Sequence, residues 1–246
     1  ASLSTKPAPD AGARLCTAGG NWEVKIARHC SKQGVMTAPG ESSAQHLLAF
    51  PGMRRVISDQ IELFHLRQFL TPAECAGLVA QIDASRRPST IADDNGDPYF
   101  RTSETCDLDA GDPLVTVLNA KLAWISGIDP AHGEPLQGQR YAAGQEFKAH
   151  TDFFEPGGGD YEKYCAISGQ RSWTFMIYLN DVSAGGATRF PEINRAFQPE
   201  RGALLAWNNR RADGSGNPAT LHHGMQVRRG SKYVITRWYR ERVWGG

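Results

Sequence analysis

The second half of the chain consists of short apolar runs separated by turn sequences, and this pattern limits the possible folds more than any other feature. The runs are rich in β-branched and aromatic residues, as is typical of short strands. Clusters of Pro, Gly, Asn and Asp, for example at 199–202 and 213–218, favour turns between them. The runs are LQGQRYAA, EFKAHTDFF, SWTFMIYLN, GATRFP, ALLAWNN and KYVITRWYRERVW. Many short strands of this kind predict a jelly roll or a barrel.

Two amphipathic helices are predicted upstream of these strands. In the first, at 71–86, Thr71 is a suitable N-cap, Pro72 takes the first helical position and Glu74 completes a capping box. The second, at 112–128, carries apolar residues at helical spacing. Helices followed by many short strands predict an α+β protein built around a jelly roll or a barrel, with the helices as N-terminal support.

The N-terminal part has a different composition. Residues 1–14 are rich in Pro, Ala and Ser, and we expect them to be disordered. Short helices are predicted at 22–30 and 41–50. We therefore divide the chain into an N-terminal extension, residues 1–55, and one folded domain, residues 56–246.

Composition and charge narrow the class of protein. The chain has 246 residues, of which 40% are hydrophobic and 22% charged, and its formal net charge is +1. Charges of both signs are interspersed, so we expect no nucleic-acid partner. No apolar run approaches the roughly 20 residues that span a bilayer, so we expect no membrane partner.

Cysteine usage favours a reducing, cytoplasmic location. The five cysteines are scattered and form no CxxC pair, so neither a zinc ribbon nor a thioredoxin-type site is predicted. A link between Cys16 and Cys30 stays open.

A histidine and an aspartate, His150 and Asp152, stand two residues apart at the end of one predicted strand. Side chains at i and i+2 of a strand point to the same face, so both can bind one ion. A third ligand would complete the two-histidine, one-carboxylate arrangement of non-haem Fe(II) oxygenases. His222 and His223 are the downstream candidates. The motif alone is short, and a polar turn is the alternative interpretation.

Residues 139–239 resemble the catalytic core of the 2-oxoglutarate- and Fe(II)-dependent dioxygenases of the prolyl 4-hydroxylase type. The matching segments occur in order and are QRYAAGQEFKAHTD, RSWTFMIYLNDVSAGGATRFP, QPERGALLAWNN and LHHGMQVRRGSKYVITRWY. The upstream segments FLTPAECAGLVAQID and RTSETCDL are also similar to the family. The resemblance implies a double-stranded β-helix, which is a jelly roll, and makes residues 56–246 the catalytic domain.

The resemblance also implies the iron ligands His150, Asp152 and His222. His222 is favoured over His223 because it precedes Lys232 by ten residues, which is the family's spacing. Neighbouring residues of a strand also face opposite sides, so only one of the two histidines fits. Lys232 resembles the basic residue that binds the distal carboxylate of 2-oxoglutarate, and a buried dianion needs such a partner.

Other positions match family residues around the co-substrate and the substrate. Lys232, Val234, Thr236 and Trp238 alternate onto one face of the last predicted strand, as pocket residues would. The implied residues are Tyr141, Tyr178, Thr236 and Thr188 near the co-substrate, with Arg171 and Trp238 on the substrate side. The alternatives are core packing for the two tyrosines and a surface position for the arginine. The sequence departs from the family at Gln226, where a proline is usual, and we expect only a change in loop rigidity.

The segment at 153–170, FFEPGGGDYEKYCAISGQ, is predicted to form a mobile cover over the site. Its three consecutive glycines permit backbone changes that other residues resist, and active-site lids are often loops. A plain surface insertion is the alternative.

The implied activity is hydroxylation of an unactivated C–H bond with O2, in which 2-oxoglutarate is converted to succinate and CO2. Fe2+ and 2-oxoglutarate are the expected cofactor and co-substrate, with ascorbate as a possible addition. A prolyl residue in a peptide or protein is the expected substrate, and a free amino acid or small metabolite is the alternative. A non-catalytic sensor that binds iron and 2-oxoglutarate is a third hypothesis. The oligomeric state stays open.

Overall fold

The computed structural model describes residues 38–90, 97–159 and 161–245. The expected N-terminal disorder, the predicted helix at 22–30 and the open Cys16–Cys30 pair lie outside the described residues. Cys75, Cys106 and Cys165 are buried and free. The cytoplasmic location stays a prediction. Among the described residues, no helix combines the length and apolar content needed to span a bilayer.

The described chain contains four α-helices, two 3-10 turns and fourteen strands. The helices are α1 (Glu41–Ala49), α2 (Pro72–Ser85), α3 (Pro113–Ser126) and α4 (Tyr161–Cys165), and the 3-10 turns are Pro130–His132 and Pro218–Thr220. The strands are β1 (Arg54–Arg55), β2 (Leu63–Leu66), β3 (Arg87–Pro88), β4 (Glu104–Asp107), β5 (Gln137–Tyr141), β6 (Phe147–His150), β7 (Arg171–Tyr178), β8 (Ala184–Gly185), β9 (Thr188–Phe190), β10 (Arg195–Phe197), β11 (Leu204–Asn208), β12 (His222–Gly224), β13 (Val227–Arg229) and β14 (Lys232–Arg240).

The strands form a large sheet, a small sheet and a two-stranded ribbon. The large sheet has the order β1-β2-β11-β7-β14-β5-β4-β3, the small sheet the order β10-β9-β12-β6, and β13 pairs with β8. Every pairing is antiparallel. The core between the two main sheets joins Phe190 of β9 to Trp207, Tyr178 and Val234 of the large sheet. This architecture confirms the predicted α+β fold with a jelly-roll core.

The helices support the large sheet. The Thr71 side chain accepts from the Glu74 amide at 3.2 Å, and Glu74 accepts from the Thr71 amide at 2.8 Å, which is the predicted capping box of α2. Helix α2 approaches β5 so closely that a Cβ at Gly138 would lie 2.4 Å from Ile82. The packing of α2 on the sheet therefore requires glycine at that position.

The predicted helices at 41–50, 71–86 and 112–128 are confirmed as α1, α2 and α3. Each of the six predicted strand runs contains a strand, but the short strands β1, β3, β4, β8, β10, β12 and β13 lie outside these runs. Phe50, just after α1, packs edge-on against Trp124 of α3 at 4.8 Å, and β1 pairs with β2. The division of the chain at residue 55 stays a prediction.

Candidate active site

Strand register places two of the histidines side by side. Strands β6 and β12 pair so that His150 lies directly opposite His222. Their ring centroids are 4.2 Å apart. Strand β6 ends at His150, and Asp152 follows in the next loop. The three side chains meet because the end of one strand lies beside the start of its neighbour.

The three side chains form a compact set of ligand atoms. One atom each from His150, Asp152 and His222 can be chosen so that all lie within 4.8 Å of one another. The Nε2 atoms of His150 and His222 lie 4.0 and 3.9 Å from the Asp152 carboxylate oxygens Oδ1 and Oδ2, respectively. Two imidazoles and one carboxylate at this separation match the donor set that non-haem Fe(II) prefers.

Hydrogen bonds fix which nitrogen of each ring faces the centre. His150 Nδ1 lies 2.8 Å from the Lys148 carbonyl, and His222 Nδ1 lies 3.0 Å from the Thr220 carbonyl. A carbonyl only accepts, so both Nδ1 atoms carry the proton and both Nε2 atoms present a lone pair. The backbone thus pre-sets both rings in the tautomer that a metal needs.

Burial and charge set the protonation states of the site. Burial, assisted by neighbouring His222, lowers the pKa of His150 well below its ordinary value. Burial alone would raise the pKa of Asp152, but His222 and His150 hold it below its ordinary value. At neutral pH the site therefore offers a neutral imidazole and an ionised carboxylate.

His223 does not join this group. Its Nε2 lies 2.9 Å from Glu146 Oε2, on the opposite side of β12 from His222, and its side chain is part exposed. His222 and His223 therefore face opposite sides of β12, as the alternation of side chains along a strand predicts.

Lys232 lies within the same jelly-roll core and is only 2% exposed. Its Nζ donates to the Gly186 carbonyl at 3.1 Å and lies 4.6 Å from the ring centre of Tyr141. No carboxylate among the described residues pairs with it. Burial lowers the pKa of Lys232 to about 7. A buried ammonium group without an acidic partner is the cation that an incoming carboxylate would complete.

One cavity joins Lys232 to the three-residue centre. Its wall includes His150, Asp152, His222, Lys232, Tyr141 and Thr236, which come from both main sheets. Val234 and Trp238 also face it, as the predicted alternation along β14 requires. The cavity is therefore a pocket between a metal-type donor set and a buried cation.

Of the remaining residues predicted near the co-substrate, some line the cavity and one lies behind its wall. Thr188 lines the cavity, and the Tyr141 hydroxyl donates to Gln139 Oε1 at 2.8 Å. Tyr178 packs in the core behind Thr188, to whose Oγ1 its hydroxyl donates at 2.7 Å. Tyr178 thus reaches the cavity only through another side chain.

A wider cleft of about 690 Å³ opens from the site. It shares His150, Asp152 and Trp238 with the inner cavity, and several aromatic residues line it, including Phe153, Phe154 and Tyr164. Arg171 lies in its wall, with its guanidinium 4.0 Å from the Trp238 ring centre. Arg171 is therefore half-buried in the cleft wall, with its side chain 18% exposed, rather than fully at the surface.

Glu134 holds Arg171 in place and was not predicted. Its carboxylate accepts from Arg171 Nε at 2.6 Å and from Arg171 Nη2 at 2.8 Å. Arg240 Nε lies 2.9 Å from the same carboxylate. Glu134 lies in a short loop far from the site in sequence, so no local pattern marks it.

The segment predicted to cover the site is fixed at both ends. Gln170 accepts from the Phe154 amide at 2.8 Å and donates to the Phe154 carbonyl at 2.7 Å. Arg240 donates to the carbonyls of Tyr164 and Gly169 at 2.9 and 2.7 Å. Gly158 and Tyr161, between these anchors, line the cleft. The cover role stays a prediction, and the anchors confine any movement to the glycine-containing middle.

Two histidines and one carboxylate that converge on one point, with space beside them, define the class of the non-haem Fe(II) oxygenases. Residues 136–240 match the model of the 2OG-Fe(II) oxygenase superfamily. The matched region and the relatives support a prolyl 4-hydroxylase-like oxygenase that uses Fe(II) and 2-oxoglutarate.

Curated relatives include plant and animal proteins. The chain is 29% identical over 223 residues to probable prolyl 4-hydroxylase 4 of Arabidopsis thaliana, covering 80% of this chain and 73% of that one. It is 34% identical over 145 residues to prolyl 4-hydroxylase subunit alpha-1 of Mus musculus, covering 58% of this chain. The match spans 27% of the length of the mouse protein.

Solved structures share the fold. The viral collagen prolyl hydroxylase of Paramecium Bursaria Chlorella virus-1 is 24% identical with a TM-score of 0.56, covering 72% of this chain and 95% of that one. A prolyl hydroxylase of Trichoplax adhaerens, solved with a peptide fragment of hypoxia inducible factor, is 14% identical with a TM-score of 0.57, covering 91% of this chain and 94% of that one.

Proposed function

We propose that this protein is an Fe(II)- and 2-oxoglutarate-dependent hydroxylase that acts on a prolyl residue in a peptide or protein. One observation carries the proposal: a single cavity joins the His150, Asp152 and His222 donor set to buried Lys232, with which no carboxylate of the described residues pairs. A non-catalytic sensor would need the same two features. The adjoining cleft gives a substrate direct access to the metal-type centre and favours the enzyme.

His150, Asp152 and His222 are the residues that would hold the iron. When bound, the Fe(II) would supply the activation of O2 that couples decarboxylation of 2-oxoglutarate to oxidation of the substrate C–H. The residues present fit the ion, since both Nε2 lone pairs are free and the aspartate is ionised. Because the fold fixes these groups beforehand, binding requires little rearrangement.

Lys232 is proposed to bind the distal carboxylate of 2-oxoglutarate. An ammonium group in a low-dielectric cavity interacts strongly with an anion, because little water screens the pair. Met176 and Val234 add apolar surface to the wall of this cavity. Tyr141 keeps its ring against the ammonium and thereby restricts where Nζ can lie.

The cleft favours a peptide over a free amino acid. A free amino acid needs a cation that is available to clamp its α-carboxylate, but Arg171 is already held by Glu134 in two hydrogen bonds. Arg101, in the same wall, already donates four of its five N–H groups within the protein, to Ser103, Thr90, Thr105 and Gln137, which leaves a single N–H for a carboxylate. Aromatic residues instead line the cleft, and aromatic-lined grooves bind extended Pro-rich chains.

The test is product analysis with a mixed substrate panel. The protein is incubated with Fe(II), 2-oxoglutarate, O2 and ascorbate, together with proline-containing peptides and free amino acids. We expect succinate formation to rise with a peptide, and mass spectrometry to find one added oxygen atom on a prolyl residue. Oxidation confined to free amino acids would replace the peptide assignment, and absence of 2-oxoglutarate consumption with every compound would refute the enzyme.

A further inference from the structure

Two buried residues behind the metal-type centre form a hydrogen-bonded chain to Asp152. Asn209 Nδ2 donates to Thr174 Oγ1 at 2.8 Å, and Thr174 Oγ1 donates to Asp152 Oδ2 at 2.7 Å. Thr174 and Asn209 are both 0% exposed. Neither residue belongs to the donor set, and neither lines the inner cavity. Within the part of the chain that the structure describes, hydrogen bonds connect them to the site through Asp152.

The chain has a defined direction. The side-chain NH2 group of Asn209 can only donate, so Thr174 accepts there and must give its single hydroxyl proton to Asp152. The Asn209 backbone is fixed as well, since its amide donates to the Ser172 carbonyl at 2.7 Å and its carbonyl accepts from Asn217 at 2.8 Å. The asparagine therefore acts as a rigid support that points the threonine hydroxyl at the carboxylate.

The hydrogen bond distinguishes the two carboxylate oxygens. Thr174 occupies Oδ2, whereas no donor among the described residues reaches Oδ1 within hydrogen-bond distance. An ionised carboxylate accepts strong hydrogen bonds, so this contact restrains rotation of the group about its last torsion. Oδ1 stays available on the side of His150, whose Nε2 lies 4.0 Å away.

We infer that Thr174 and Asn209 are positioning residues that orient Asp152 for metal binding through Oδ1. The inference rests on the proposed iron role of His150, Asp152 and His222. Outer partners that orient a metal ligand typically contribute about 10–100-fold to metal affinity. Their contribution here comes from holding one carboxylate conformation before the ion arrives.

The test measures Co(II) affinity, not turnover, in the 246-residue chain without 2-oxoglutarate. Thr174→Val keeps the side-chain shape but removes the hydroxyl, and we expect Co(II) affinity by calorimetry to fall about 10–100-fold. Thr174→Ser keeps the hydroxyl and should restore affinity to within about threefold of the original protein, together with the visible spectrum of bound Co(II). Ser172→Ala is the matched control, because it removes another buried hydroxyl of β7, bonded to the Tyr239 carbonyl, and should leave Co(II) affinity unchanged.

A second variant keeps the inference testable should Thr174→Val fold poorly. Asn209→Leu has a similar shape and removes the donor that directs Thr174, so we expect a smaller loss of Co(II) affinity with the threonine intact. Unchanged Co(II) affinity in folded Thr174→Val, or in folded Asn209→Leu when the first variant fails to fold, would overturn the inference. Failure of the original protein to bind Co(II) would instead refute the proposed metal site.

Discussion

At the scale of single residues, Lys232 is the most informative side chain. Burying an ammonium group without an acidic partner opposes folding, and its lowered pKa is the measure of that cost. Such a group is retained when a ligand offsets the cost on binding. A carboxylate of 2-oxoglutarate in this cavity would do so, because it supplies the anionic hydrogen-bonding partner that the buried ammonium group needs.

The pKa of Lys232 predicts how 2-oxoglutarate affinity depends on pH. Burial lowers that pKa to about 7, so the free protein loses the ammonium charge as pH rises above 7. The carboxylate binds the charged form, so apparent affinity should be steady below pH 7 and fall by up to about tenfold per pH unit above it. Calorimetric titration of the Co(II)-loaded protein between pH 6 and about 9 measures this.

A fixed charge supplies the control for that titration. Lys232→Arg carries a guanidinium that stays protonated throughout the range, so its 2-oxoglutarate affinity should vary little with pH. Lys232→Met should bind weakly at every pH while keeping Co(II) affinity. An affinity of the original protein that does not change from pH 6 to about 9 would contradict the lowered pKa of Lys232, and an unchanged affinity in Lys232→Met would show that Lys232 does not hold the carboxylate.

The two adjacent histidines predict opposite outcomes from the same substitution. His222→Ala removes a nitrogen of the donor set, so we expect loss of measurable Fe(II) binding and of turnover. His223→Ala removes a contact with Glu146 on the other side of the strand and should leave Fe(II) affinity within about threefold. Anaerobic Fe(II) titration of both variants decides this, and stronger dependence on His223 would reverse the assignment.

At the scale of elements, the site depends on strand register. The runs in the sequence predict β6 and β14, and alternation predicts which residues of each strand face inward. The short strand β12 lies outside those runs. The pairing of His150 with His222, and of Lys232 with Tyr141, is a property of the assembled sheets. Sequence periodicity cannot supply it, because register is decided by contacts across the core.

In the segment at 153–170, which is predicted to cover the site, we expect glycine substitutions to have different effects at different positions. Gly157 has φ +87°, which is unfavourable for other residues, although nothing lies within 4 Å of its Cβ position. Gly157→Ala should therefore lower the free energy of unfolding by about 1–2 kcal/mol through backbone strain alone. Urea denaturation measures the change.

Gly159 provides the matched control within the same segment. It also has no atom within 4 Å of its Cβ position but lacks the positive φ, so Gly159→Ala should be close to neutral. Equal effects of the two substitutions would mean that the turn at Gly157 is not populated in solution. Anchoring by Gln170 and Arg240 predicts that any strain stays within this middle part.

At the scale of the whole molecule, the pattern of helices and short strands predicts an α+β fold with a jelly roll or a barrel, and the family resemblance adds the donor set and the lysine. The sequence does not predict Thr174, Asn209 or Glu134, since these act through partners 22, 35 and 37 residues away that only folding brings near. Tyr178 was predicted to lie near the co-substrate, but its hydroxyl lies behind Thr188 instead of facing the cavity. The sequence therefore predicts the side chains that face the cavity better than the side chains that hold them in position.

Ligand binding should stabilise the entire fold, because the site draws on both main sheets. A ligand present at 100 times its dissociation constant adds about 2.7 kcal/mol to the free energy of unfolding. Co(II) at this excess should raise the melting temperature, and a chelator should reverse the rise. Asp152→Ala should show no such shift, and an equal shift in that variant would place the metal elsewhere.

The most direct test of the central claim follows the two atoms of isotopically labelled O2. An Fe(II)- and 2-oxoglutarate-dependent hydroxylase places one atom in the new hydroxyl group and the other in succinate, while CO2 leaves from 2-oxoglutarate. Mass spectrometry of a proline-containing peptide and of succinate from the same reaction should find label in both, in equal amounts, and in neither with Asp152→Ala. Label in succinate but in no product of any tested substrate would contradict hydroxylation, and label in neither would contradict the enzyme itself.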